Sequence, residues 1–158
     1  MPFFVEKIVI IVQNSVLKVS QLEEIDLLVF KTADEVSSAI DCTCCGRCCT
    51  KLKPTCSSQD QQRLAVRLSI TAEQLREQYL EYDESEDEPG WRMKNSPCPF
   101  LQDKKCTVHK DRPDNCRQYP YLHEPKFTGR TWGMIERTFT CPIVFRVMEV
   151  LKLKLPFH

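Results

Sequence analysis

Cys42-Thr43-Cys44-Cys45-Gly46-Arg47-Cys48-Cys49 puts five of the chain's ten cysteines into eight positions. Read with two-residue gaps, the stretch is Cys-x-x-Cys-Gly-x-Cys-Cys and uses Cys42, Cys45, Cys48 and Cys49. Such gaps let a tight turn aim neighbouring sulfurs at one centre, and Gly46 supplies the left-handed backbone that the turn needs. Cys98, Cys106, Cys116 and Cys141 follow at wide spacing, so loops must carry them in. The prolines around them limit the entropy lost in doing so. Neighbouring side chains of an extended segment point apart, so Cys48 and Cys49 are not expected to serve one tetrahedron. The two groups are therefore expected to interleave around one or two centres. Clustering of this kind points to metal ligation by thiolates in a reducing compartment. Buried free thiols occur singly as small hydrophobes, which does not account for a cluster.

Outside the cysteines, the composition excludes several classes. The 158 residues carry 22 basic and 22 acidic side chains, so no bulk charge favours nucleic acid. Only four glycines are present, Gly46, Gly90, Gly129 and Gly133, too scattered for a phosphate loop or a dinucleotide fingerprint. Ile8 to Leu17 is the longest charge-free apolar stretch, well short of the ~18 residues of a membrane helix. Glu6 and Lys7 interrupt any secretory pattern, so a cytoplasmic location with no membrane partner is expected.

The first 40 residues contain no cysteine. Phe3 to Val12 is rich in β-branched residues and reads as a strand. Leu22, Ile25, Leu28 and Val29 recur at helical spacing, which predicts a helix over 20–31, although Ile25 to Phe30 also suits a strand. Thr32 with Glu35 has the form of a capping box for a second short helix ending near Ile40. Residues 41–56 read as irregular. A helix pair follows, the first capped by Ser57 or Ser58 and carrying Leu64, Val66 and Leu68. The second is capped by Thr71 with Gln74 and buries Leu75, Tyr79 and Leu80. Glu81, Asp83, Glu84, Glu86, Asp87 and Glu88 read as a solvated loop closed by Pro89-Gly90. Residues 91–137 are proline-rich and loop-like. Cys141-Pro142 opens a last helix with proline in its first turn and an apolar stripe of Ile143, Val147, Val150 and Leu151. The expected fold class is mainly α with irregular cysteine-rich loops, a small metal-stabilised domain over 41–158 behind a short N-terminal α/β extension over 1–40.

These motifs give the chain a resemblance, over residues 41–151, to the YkgJ-type cysteine cluster proteins, a family of zinc- or iron-chelating domains related to the flagellin lysine N-methylases. Cys42, Cys45, Cys48 and Cys49 match its opening motif, and Cys98-Pro99-Phe100-Leu101 matches its Cys-x-Phe-Leu element. The run from Cys106 through Arg112-Pro113, Cys116-Arg117 and Tyr119-Pro120 matches the next element, and Cys141-Pro142 the last. Asp60, Arg63 and Leu64 stand in the order the family shows in its helix pair. Cys44 and Cys56 are extra to the pattern, and His109 stands where tyrosine is usual. The methylases are much longer chains, so their enzymatic activity is not carried over.

Spacing bears on the metal. Cys42-x-x-Cys45 is one zinc knuckle, but the remaining cysteines form no second one. Cys42, Cys45 and Cys48 with a distant Cys141-Pro142 imitate a ferredoxin arrangement, which favours an iron–sulfur cluster over Zn²⁺. Arg47, Lys51, Lys104, Lys105, Arg112 and Arg117 flank the thiols and offset their charge. Arg112 and Arg117 sit inside the motif, where a guanidinium fork can tie loop carbonyls around the cofactor. His109 is expected to be packed or hydrogen-bonded, His123 and His158 to lie on the surface, and Tyr119 and Trp132 to be core or cluster cover. Cys56, at the entry to a helix, is either a small buried hydrophobe or a reactive thiol of lowered pKa. The expected function is metal binding with a redox or maturation role. The alternatives are a zinc-stabilised module for a protein partner, a metal-delivery chaperone using Cys44 and Cys56, and, suggested only by the family resemblance, an enzyme acting on a modified lysine.

Overall fold

The computed structural model of the chain describes residues 19–85 and 88–155. The strand expected over Phe3 to Val12, and His158, lie outside these residues. In chain order the elements are α1 (Val19–Ala39), α2 (Ser58–Leu68), α3 (Ala72–Tyr79), β1 (Leu80–Asp83), β2 (Gly90–Met93), β3 (Leu101–Gln102), β4 (Lys105–Cys106), α4 (Asp114–Gln118), α5 (Thr131–Thr138) and α6 (Pro142–Lys154). Short 3₁₀ turns occupy Cys42–Cys44, Cys48–Thr50 and Phe127–Arg130. The chain is thus mainly helical, with its first cysteines in short helical turns and two small hairpins. It divides into two compact units, one of residues 42–119 and one from the chain on either side of it.

In the split unit, α1 and α5 pack on α6. Burial along α6 falls on Ile143, Val144, Val147, Met148 and Leu151, close to the expected stripe, with Val150 half-buried. Pro142 occupies the first turn, where its missing N–H costs nothing. The capping box expected at Thr32 does not form. Thr32 is fully buried inside one continuous helix, because Ile25, Val29, Thr32, Ala33 and Val36 carry the inward face straight through it. The same continuity removes the strand alternative for Ile25 to Phe30. Asp26 ties α1 to the 3₁₀ turn, accepting from the backbone N–H groups of Lys126 and Phe127 at 2.6 and 2.8 Å. Trp132 was expected to be covered, but it is 60% exposed on α5, whose inner face is filled by Met134 and Ile135.

In the continuous unit, both helix starts follow the capping logic. Ser57, not Ser58, caps α2 and forms a box with Asp60, and Thr71 boxes with Gln74 on α3. Leu64, Ala65 and Gln61 form the inner face of α2, while Val66 turns outward at 81% exposure. The acidic run is not wholly a loop. Leu80–Asp83 pairs antiparallel with Gly90–Met93, setting Leu80 opposite Met93 and Tyr82 opposite Trp91. Alternate apolar residues select the strand, and two bases neutralise its acids: Lys53, distant in sequence, reaches Glu81 at 2.8 Å and Arg92, on the partner strand, reaches Asp83 at 2.6 Å. Nor is the stretch from 91 irregular throughout. Leu101–Gln102 and Lys105–Cys106 form a hairpin across Asp103 and Lys104, both with positive φ, the backbone that two-residue hairpin turns require.

The core of this unit is Cys56, Leu64, Leu75, Leu80, Met93, Phe100 and Val108, with Cys98 and Cys106 packed against it. Leu64→Ala should therefore cost about 3 kcal/mol, whereas Val66→Ala should fall within about 0.5 kcal/mol of the parent. Urea unfolding of the metal-loaded protein checks the contrast.

Candidate metal centre

The first cysteines ride on two successive 3₁₀ turns. Cys42 and Cys44 are exposed in the first, and the backbone N–H of Cys45 closes it by donating to the carbonyl of Cys42 at 3.2 Å. The chain then passes hard against the β3–β4 hairpin at Gly46. Gly46 has a φ of +64°, and a Cβ there would stand 3.1 Å from the carbonyl oxygen of Lys104 and from Leu101. Reversal at that point presents Cys48 and Cys49 in the second turn, both half-buried.

Their sulfurs lie 3.9 Å apart. The expectation that these neighbours point apart is overturned, because it assumed an extended backbone; the helical turn brings the two side chains to one side. Cys98 is fastened to this turn by its N–H, which donates to the carbonyl of Cys49 at 2.7 Å. Cys106 stands on β4, opposite Leu101, and the Cys42–Cys44 turn packs against that strand. Cys116 sits in α4, its N–H donating to Pro113 at 2.9 Å.

Electrostatics shows what this grouping means. Burial pushes the thiols of Cys98 and Cys106 up, and that of Cys116 up to about 12. Negative charge on Cys48 raises each of them further. Cys48 itself is lowered, chiefly by the hydrogen bond that Cys49 gives it, and Cys49 is raised in return. Arg112 opposes the accumulated charge, lowering Cys48, Cys106 and Cys116. Cys48, Cys49, Cys98, Cys106 and Cys116 are therefore one electrostatic group drawn from four separate segments. Among the described residues, no three ligating side chains close on a single point. The donor set still suits a soft cation: it is all sulfur, half-buried, and short of positive charge.

Cys141 belongs to the split unit, buried at the N-terminal end of α6. Cys56 is 4% exposed in the core, and burial, followed by the charge of Asp60, pushes its thiol up to about 12. A reactive thiol of lowered pKa is thereby overturned for Cys56, since desolvation outweighs the helix terminus. Cys44 stays exposed, with Thr43 Oγ1 3.7 Å from its sulfur.

Arg112 and Arg117 do tie loop carbonyls. Arg112 donates to the carbonyl of His109, and Arg117 to the carbonyls of Arg112 and Lys110. His109 Nδ1 faces Arg112 Nη1 at 3.1 Å and accepts from it, since a guanidinium can only donate. His123, 58% exposed, meets Asp34 at 2.9 Å. The part that sequence reading missed is the polar frame behind the Cys106–Cys116 loop. Asp60 and Arg63 were noted only for their order, yet Asp60 is 2% exposed and both reach that loop. A carboxylate three residues before an arginine on a helix was the available signal.

Residues 41–142 match the sequence family described as "CxxCxxCC: Putative zinc- or iron-chelating domain". That is well over half of the chain, which therefore belongs to this family of metal-chelating cysteine-cluster domains. Searches of curated proteins and of solved structures found no match. No described helix is long and apolar enough to cross a membrane.

Gly46 is the residue on which the reversal between the two turns depends. Gly46→Ala should cost about 1–2 kcal/mol for the left-handed backbone alone, with more from the crowded Lys104 carbonyl. It should also lower the metal retained per chain, read by atomic emission on the purified variant.

Proposed function

We propose that the chain binds metal through thiolates, with one metal atom held between Cys48 and Cys49 and completed by two of Cys98, Cys106 and Cys116. The observation that carries this reading is the 3.9 Å between the Cys48 and Cys49 sulfurs. A tetrahedral ion with zinc–sulfur bonds near 2.3 Å sets its ligands about 3.8 Å apart. Zn²⁺ is one metal that this edge suits. Four thiolates around Zn²⁺ leave a net negative centre, and the Arg112 guanidinium is placed to offset it.

Cys42 and Cys45 belong to the same reading as ligands of a second or exchanging site on the exposed turn. Cys141 is kept as a ligand candidate on its Cys-Pro match. An iron–sulfur centre with a redox or maturation role is the second reading, favoured by the spacing of Cys42, Cys45 and Cys48 with Cys141-Pro142. Two thiolates can also share one iron of a two-iron cluster.

As a zinc centre the site is a device for folding. It supplies the 42–119 unit with stabilisation that its short helices and two hairpins lack, and so presents a surface for a protein partner. Structural zinc contributes on the order of 10 kcal/mol, so chelation under reducing conditions should collapse the near-ultraviolet dichroism of the protein. A metal-free protein with unchanged melting would overturn the proposal. Protein purified without oxygen should be colourless with stoichiometric zinc; a brown, iron- and sulfide-containing product selects the second reading. Cys48→Ser and Cys49→Ser should each lose metal, and Cys44→Ser should not.

Metal uptake should also be coupled to protons. Cys98, Cys106 and Cys116, raised by burial, keep their protons at neutral pH in the metal-free protein. Each thiolate ligand formed must release one, so apparent affinity rises as pH rises. Zinc titration calorimetry in buffers of different ionisation enthalpy should register this release, and an affinity independent of pH would contradict it.

A further inference from the structure

Helix α2 supplies no cysteine, yet it grips the loop that carries Arg112 and Cys116. Asp60 divides its carboxylate between two tasks. Oδ2 accepts from the N–H and Oγ of Ser57 at 2.9 and 2.8 Å, which closes the helix cap. Oδ1 accepts from the N–H of Asp114 at 3.1 Å and from Arg63 at 2.5 Å. One turn on, Arg63 spreads its guanidinium over the same loop. Nη2 donates to the carbonyl of Arg112 at 3.0 Å and to the carboxylate of Asp114 at 2.9 Å, and Nε to the carbonyl of Asp111 at 3.3 Å.

Between them the two side chains hold backbone atoms of three consecutive non-proline loop positions, Asp111, Arg112 and Asp114, interrupted only by Pro113. Pro113 in turn starts the turn whose N–H groups include that of Cys116. The placement of Arg112 and of Cys116 relative to the other thiols is thus held from a helix that supplies no cysteine of its own. Asp60 is buried, and Arg63 with three N–H or O–H donors answers its carboxylate.

We infer that Asp60 and Arg63 are positioning residues for the metal centre, acting through the 111–116 loop. The inference rests on the thiolate reading above. Outer residues that orient ligands govern affinity and ligand geometry although they never meet the ion. Stability alone is a poor measure of such a role, because any loss in this unit lowers it. The spectrum of the bound metal is specific to the ligands.

The test uses the full chain loaded with Co²⁺, whose thiolate charge-transfer band reports the number and geometry of bound sulfurs. Arg63→Gln should weaken that band and lower Co²⁺ affinity about tenfold in competition with a chelator. Asp114→Asn, at a half-exposed site, is the milder second variant and should shift both in the same direction. Thr71→Ala is the control: it removes the cap of α3 in the same unit, with no bond to the 111–116 loop, and should leave band and affinity as in the parent. Folding of each protein is verified by far-ultraviolet dichroism. A folded Arg63→Gln with the parent's band and affinity overturns the positioning role alone, as does an equal loss in Thr71→Ala. Should Arg63→Gln fail to fold, an Asp114→Asn protein indistinguishable from the parent overturns it. A parent protein that shows no thiolate–cobalt band overturns the metal reading and this inference together.

Discussion

Cys98, Cys106 and Cys116 lose much of their water on burial, and the Arg112 guanidinium answers the charge of Cys106 and Cys116 in exchange. A thiol in that position keeps its proton or takes a cation; a bare thiolate is the costly third choice. The surrounding structure is arranged around this demand. The hairpin at Asp103 and Lys104 places Cys106, the crowded glycine at 46 turns the chain into Cys48 and Cys49, and the short helix α4 carries Cys116. None of them is long enough to be stable alone.

Site and core share atoms. Cys98 and Cys106 pack on the cluster of Leu64, Leu75, Met93, Phe100 and Val108, so the wall of the cysteine group is also the wall of the hydrophobic core. Disorder among these cysteines and loss of core packing are then hard to separate in this unit. That coupling makes family membership as a metal-chelating domain a statement about folding as much as about binding.

Much of the plan was legible in residue order. The caps of α2 and α3, the proline that opens α6 and the grouping of distant cysteines all follow from local rules. What escaped had non-local causes. Thr32 with Glu35 satisfies the pattern of a cap, but Val29, Ala33 and Val36 had more to gain by burying one uninterrupted face against α6. The acids after Leu80 look like a solvated run until Lys53, far away in sequence, and Arg92, on the paired strand, arrive to pair with them. Cys48 and Cys49 were read on an extended backbone, and a single helical turn reversed the conclusion. Asp60 and Arg63 gave no hint beyond their spacing, because their partners are main-chain atoms of a loop 50 residues on.

The split unit closes α1 against α6 across the whole of residues 42–119. If that intervening segment is unstructured, bringing the two helices together carries the entropy of a loop of roughly 80 residues, a cost that grows with the logarithm of length. Once the segment is compact, its two ends stand at one fixed separation and the loop is effectively short. Order in the middle of the chain is thereby converted into order at its edges.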